Sequence, residues 1–347
     1  MRKNLQYKIL AAVMALSSLG LYTAAPAAAE VVVNDNTLYA NGTPIVIESG
    51  EEYGGNYTDI IGAGSETSSG DISGGNVTIN TDTDKKFGQI FGGYSSGGNV
   101  HDNHVTINSG VVIEVYGGIG KINDKDDTLT NNTVTINGGT VTYVFGGSSN
   151  YASVTENKVY ITGGTINSTV VGGQSNLDAS SNIVDISDDA RVNGDIYGGY
   201  SSSGSANNNE IIISGSANIT NANLYGRNSV AHGTGNTLTI DGWSGSTQSV
   251  QNFSDINFNN VNWKNGETVL KITNGSEGDL INTNINLNSI AGGSSIKAGD
   301  KMTLIASNTN LSDEVKYNIN DTFTAGVARE GLGSTSVENG NVTMLAA

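Results

Sequence analysis

The chain has no cysteine among its 347 residues. In an exported protein that excludes a disulfide scaffold, so stability must come from packing and hydrogen bonds. Proline is nearly absent, with two residues, and aromatic residues make up only 6%. Basic residues are scarce, since 16 Lys and Arg face 33 Asp and Glu for a formal net charge of −17. A basic footprint for nucleic acid is therefore missing, and an anionic lipid surface would repel the chain. No stretch reaches the ~20 apolar residues that a membrane-spanning helix needs, so no transmembrane segment is expected in the mature chain. What is abundant is glycine, at 47 residues. Hydrophobic content is modest (36%) and charge is low (14%), which fits either a disordered polar chain or a repeat structure.

The first residues read as an export leader. Arg2, Lys3 and Lys8 precede a short apolar core from Ile9 to Leu21, followed by the small-residue run Ala24-Ala25-Pro26-Ala27-Ala28-Ala29. Ala27 and Ala29 fit the small-x-small cleavage pattern, placing a Sec signal peptide over 1–29. Removing its three basic residues leaves 13 against 33 acids, a mature charge of −20.

Periodicity decides for a repeat. One marker is aliphatic, then aromatic or Val, then Gly, the glycine being doubled in every copy but Leu224-Tyr225-Gly226-Arg227. Its first glycines are Gly92, Gly117, Gly146, Gly172, Gly198 and Gly226, at steps of 25, 29, 26, 26 and 28. A second marker, Asn-x-aliphatic-x-Ile, keeps phase with the first through Asn103, Asn132, Asn157, Asn182, Asn209 and Asn236. Val77-Thr78-Ile79 and Ile60-Ile61-Gly62 are earlier, degenerate copies.

Val-x-Ile alternation has period two and predicts a strand with one buried face. Gly-Gly or Ser-Gly then turns the chain, because glycine takes positive φ cheaply; a second strand follows, and the marker Gly-Gly turns it again. Two or three short strands per 25–29 residues match one rung of a parallel β-helix. No helix-period segment intervenes, and four-stranded propeller blades usually need about 40–45 residues. The expected fold is all-β: a single-stranded parallel β-helix (β-solenoid), right-handed by the general hand of parallel crossovers. Its repeats run over 30–242, and 243–347 form a C-terminal β-helix end or stem-like cap. In that tail Asn265-Gly266 and Asn274-Gly275 read as hairpin signals, and a cap is needed to cover the last open strand edges.

In such a rod equivalent residues stack. The aliphatics Ile90, Val115, Val144, Val170, Ile196 and Leu224 are expected as an inward ladder, with Val105 and Ile107 and their copies as another. The marker asparagines are expected to stack at one corner in a structural role. Phe91, Tyr116, Phe145, Tyr197 and Tyr225 form a second ladder, interrupted at Val171. It reads first as a stabilising stack at a corner, and alternatively as an exposed strip gripping sugar rings.

The search for chemistry assigns no catalytic, cofactor or metal residue. His101 and His104 share a loop and read as solvated. No metalloprotease motif and no nucleophile elbow occurs. Asp185, Asp188 and Asp189, or Asp126 and Asp127, are candidate acid pairs for glycoside hydrolysis, with a solvated face as the default. Asn123-Asp124-Lys125-Asp126-Asp127 has the flavour of a calcium loop but lacks the glycine and the distant Glu of an EF-hand.

The export leader, the Asn/Gly/Ser/Thr-rich rungs ending in Val134-Thr135-Ile136-Asn137-Gly138-Gly139, and the tail elements Trp263-Lys264-Asn265-Gly266 and Gly299-Asp300-Lys301-Met302-Thr303-Leu304-Ile305 resemble type V autotransporter passengers, especially adhesin-like ones. The resemblance covers most of 54–310. It implies a secreted or cell-surface, non-catalytic interaction protein, delivered to the outer membrane or the medium. It also implies a tail like the stem region before a translocating barrel. No set of amphipathic strands suited to lipid follows Val342-Thr343-Met344, so the outer-membrane translocator is expected in a longer product or on a separate chain. A host surface or glycan is the expected partner. The alternatives are a carbohydrate-active β-helix enzyme, a lyase or hydrolase, and a passive stalk.

Overall fold

The computed structural model describes residues 31–49, 57–82, 85–121, 126–228, 232–276, 280, 282–292, 296–297 and 299–308; 316–319, 332–338 and 341–346 are described as strands. The leader at 1–29 and residues 123–125 of the calcium-like loop lie outside the described residues.

Among the described residues every regular element is a strand, and the strands stack in parallel to form a β-solenoid of about eight turns. Three faces recur. Sheet A has 12 strands, sheet B has 11, and the narrow sheet C has five; a fourth sheet, D, has five strands at the C-terminal end. One coil runs Val111–Gly120 on sheet A, Thr128–Thr130 on C and Thr133–Ile136 on B. Each strand pairs in parallel with its counterpart one coil earlier and one coil later.

Alternation of side chains sets the two faces of each strand. On sheet A the inward position is held by Leu38, Ile60, Ile90, Val115, Val144, Val170, Ile196, Leu224 and Val250 in register. All nine are 0% exposed. Val105, Val134, Val159, Val184, Ile211 and Leu238 do the same on sheet B. Each such burial stabilises by about 1.5–3 kcal/mol, and the small cross-section suits Val and Ile.

Two corners carry left-handed residues. Between sheets B and A, Gly110, Gly139 and Gly164 have φ of 97°, 78° and 75°. Between C and B, the residue just before each ladder asparagine is left-handed: Asp102 (φ 54°), Asn131 (55°), Glu156 (59°), Ser181 (58°) and Asn208 (53°). Gly235 fills this place before Asn236, with φ 74°.

The marker glycines do something else. Gly92, Gly117, Gly146, Gly172 and Gly198 lie inside sheet A strands, none at positive φ, so they do not turn the chain. They provide space. A Cβ on Gly117 would sit 2.4 Å from the Gly146 carbonyl oxygen and 3.1 Å from Asn132 Cβ; one on Gly118 would meet Asn132 Nδ2 at 2.7 Å. The Gly-Gly pair and the Asn therefore recur in phase because each coil packs one against the other.

Past Gly242 the stacking continues on sheet B through Asp255–Asn259, Asn284–Leu287 and Lys316–Ile319. Sheet C ends at Ala179–Ser180. After Asn236 the chain takes a shorter coil, in which Gly235 N donates to Ser254 Oγ only 19 residues away. Asn265-Gly266 is a turn, with Gly266 at φ 81°, but no hairpin follows: Thr268–Ile272 pairs in parallel with Gly245–Thr247 and Lys301–Ser307. The chain after Asn274-Gly275 likewise leads to parallel strands. Among the described residues antiparallel pairing is confined to the ends. Val32–Asn34 folds onto Thr37–Tyr39 at one end, and Asn341–Ala346 joins Lys301–Ser307 to Leu332–Glu338 at the other.

Candidate functional surfaces

The six ladder asparagines are at most 1% exposed. The amides from Asn103 to Asn209 each tie three coils, and Asn236 closes the column on the coil before it. Asn132 Oδ1 accepts from the backbone N of Asn103 (3.2 Å) and from its Nδ2 (2.9 Å). Asn132 Nδ2 donates forward to Asn157 Oδ1 (3.0 Å) and back to the Val100 carbonyl (2.9 Å). The pattern continues through Asn182 and Asn209 to Asn236 at 2.9–3.1 Å. Every polar atom of these amides is occupied, and none reaches solvent. They are supports that fix the register of the coils.

The aromatic residues lie on the outer side of sheet A. Phe91 and Tyr116 stack with centroids 5.2 Å apart, Tyr116 and Phe145 at 4.8 Å, and Tyr197 and Tyr225 at 4.7 Å, with interplanar angles of 8–21°. Val171 stands in register between Phe145 and Tyr197 and is only 2% exposed. Rings stacked face to face show their edges to solvent, whereas gripping a sugar needs a free face. Tyr116 OH donates to Glu114 (3.0 Å), and Tyr197 OH to Asp195 (3.4 Å). Burial, and then the adjacent carboxylate, pushes both phenols well above their ordinary range.

The acidic candidates separate. Asp127 accepts from Gly98 N (3.0 Å), and Asp189 accepts from Ser216 Oγ (3.1 Å), both as loop supports. Asp188 is a corner residue at φ 49°. Asp185 alone stands on the outer face of sheet B. Its Oδ1 is buried without a hydrogen-bond partner. Burial raises its carboxyl above the usual range, helped by Glu210, Asp188 and Asp241. The carboxylates of later coils are thus felt at Asp185, a relation the rung-by-rung sequence reading did not see. His101 Nδ1 lies 2.8 Å from Asp102 Oδ2, while His104 is an exposed sheet B residue. Among the described residues no group of three or more His, Cys, Asp or Glu is placed to hold a metal ion.

Compared with known proteins, the chain matches no family model, no curated protein and no solved structure. Function therefore has to be argued from the faces. Among the described residues no helix is long and apolar enough to cross a membrane, which says nothing of a β-barrel. Two hollows lie in the C-terminal part. One, of about 70 Å³, is bordered by Trp243, Lys264, Glu267 and Met302; the other, of about 350 Å³, is an open trough beside Lys271, Ile272 and Asn308.

One surface feature was missed from the sequence. On the outer face of sheet B, Asn108 Nδ2 donates to Asn80 Oδ1 (2.7 Å), Asn137 Nδ2 to Asn108 Oδ1 (2.8 Å), and Thr162 Oγ1 to Asn137 Oδ1 (2.9 Å). The signal was present: Val-Thr-Ile-Asn recurs at 77–80, 105–108 and 134–137. Alternation places its last residue outward, on the same side as the Thr.

Proposed function

We propose that this chain is an adhesin-like interaction rod, exported through the Sec signal peptide to the cell surface or the medium and non-catalytic in itself. The observation that carries the reading is the disposition of polar residues. The repeated, fully bonded ones are buried as supports, while long flat outer faces are left to solvent; extended repeat faces of this kind make binding surfaces. The resemblance to autotransporter passengers supports export and an outer-membrane translocator as partner, with a host surface or glycan as the target. The strongly acidic chain suits a soluble surface protein that does not adhere to nucleic acid or anionic lipid.

Asp185 favours a second reading, a carbohydrate-active hydrolase. Its raised carboxyl has the character of a general acid, and Glu210 lies near. Reducing-sugar release from a polysaccharide panel, lost in Asp185→Asn, would establish it.

The primary reading is tested by expressing the full chain in a diderm host and shaving intact cells with protease. Release of the mature chain by shaving, or its presence in the medium, is expected. Retention as a soluble periplasmic protein, with or without a co-expressed translocator, overturns the surface assignment.

A further inference from the structure

We propose that the outer face of sheet B over its strands Asn76–Asn80, His104–Ser109 and Thr133–Ile136 binds a neutral, hydroxyl-rich polysaccharide chain lying along the rod. Thr78, Thr106 and Thr135 are aligned by the strand register, and Asn80, Asn108 and Asn137 form the bonded row beside them. Asn76, His104 and Thr133 complete the outward positions. In a chain with 33 carboxylates and a net charge of −17, these positions hold none. Beyond Lys158 and Tyr160 the same face turns acidic and apolar through Asp185, Glu210 and Ile212. On the other side Glu48 borders the patch, with its carboxylate held by Asn80 Nδ2 (2.8 Å), so the nine outward positions between Glu48 and Lys158 present a neutral surface that suits a neutral partner. A polyanion would meet the field of the whole rod, and a polycation would find its carboxylates elsewhere.

The hydrogen-bond pattern points to hydroxyls. The bonds along the row fix the orientation of the Asn108 and Asn137 amides, and both residues are exposed. Each amide has two N–H donors and two acceptor lone pairs on oxygen, so one bond each way along the row leaves a donor and an acceptor facing out. A fixed donor and acceptor side by side match a pair of adjacent sugar hydroxyls, and little side-chain entropy remains to be lost on binding. The coils repeat at ~4.8 Å, close to the advance of one sugar in an extended glycan. A flat face suits such a chain better than a small molecule.

This deepens the reading of an interaction rod and rests on it, but it is tested on purified protein, apart from export. The mature chain is run in native gels containing galactomannan, hydroxyethyl cellulose or dextran, with alginate and heparin as the anionic comparison. Retardation by at least one neutral polymer, and by neither anionic one, is expected. The double variant Thr106→Glu/Thr135→Glu should weaken it by about tenfold or more, a loss of ~1.4 kcal/mol. Asn257→Glu, on the same sheet among the later coils, should leave it unchanged. If the double variant does not fold, Asn108→Ala, an exposed truncation with an unchanged unfolding transition, should still weaken retardation several-fold. Absence of retardation by every neutral polymer, preference for alginate or heparin, or full retardation of both Asn108→Ala and a folded double variant overturns the proposal. A shaving experiment that fails while retardation holds removes only the surface assignment.

Discussion

The coils from Asn103 to Asn236 and those from Trp243 to Ile305 stack strands in the same parallel way but fill their interiors differently. In the first stretch the core is Val, Ile and Leu around a column of asparagine amides, with Gly-Gly pairs making room for it. In the second the amide column stops. Ser254 and then Thr283 follow Asn236 in register, and Trp243, Phe253, Phe258 and Trp263 fill the interior. A parallel solenoid can thus be held by a polar column that fixes register or by bulky apolar packing that fills volume. The column demands near-constant coil length: successive ladder asparagines are 29, 25, 25, 27 and 27 residues apart. Where it ends, the next coil shortens.

The comparison breaks most sharply at the middle of the column. Asn157→Ala strands the backbone N–H of Asn132, takes one of the two partners of Asn132 Nδ2, and removes the amide donor to the carbonyls of Leu129 and Thr155. Buried groups left unpaired in this number should cost about 3–4 kcal/mol. Thr283→Ala loses a single bond to the Phe253 carbonyl and should cost about 1 kcal/mol; urea unfolding of both variants measures the difference. Gly117→Ala drives a methyl against the Gly146 carbonyl and should cost about 2–3 kcal/mol. Gly242→Ala meets nothing closer than 3.8 Å and pays only for its left-handed φ, about 1 kcal/mol.

Smaller effects sharpen the picture. Exposed Glu156 holds a left-handed conformation just before Asn157, so Glu156→Gly should stabilise by about 0.5–1 kcal/mol, read as a raised Tm. Asp185 carries a carboxyl raised above its ordinary 3.8. Its stability contribution is full below that value and is lost as pH rises through the folded value. Asp185→Asn should therefore stabilise at pH 7 by no more than about 1 kcal/mol, discounted for partial exposure. The advantage should vanish below the ordinary value.

Much of the fold was legible because two markers held phase: alternation around Val105 and Ile107 gave the strands, and the phasing of Asn with Gly-Gly gave the coil. The reason for that phasing was not legible. Glycine in a strand signals close approach as well as a turn, and it is the stacking of coils that puts Gly117 against Asn132 and the Gly146 carbonyl. Asn265-Gly266 misled because a turn dipeptide specifies a local bend and is silent on whether the next strand returns antiparallel or climbs to a new coil. The outer amide row escaped notice because attention to Val-x-Ile fixed on the inward residues. Of the carboxylates around Asp185, Asp188 is on its own rung, but Glu210 and Asp241 come from later coils, and their proximity follows from the stacking register, which a single rung does not contain.

The most direct test of the amide column is hydrogen exchange on the mature chain and on Asn157→Ala. The backbone N–H groups of Asn103, Asn132, Asn157, Asn182 and Asn209 each donate to the next side-chain oxygen. They should exchange only with global unfolding, and Asn157→Ala should lower protection in the coils on both sides while sparing Asp255–Asn259. If those amides exchange as fast as the corner residues, or if Asn157→Ala changes only its own coil, the column does not hold the coils together and the account fails.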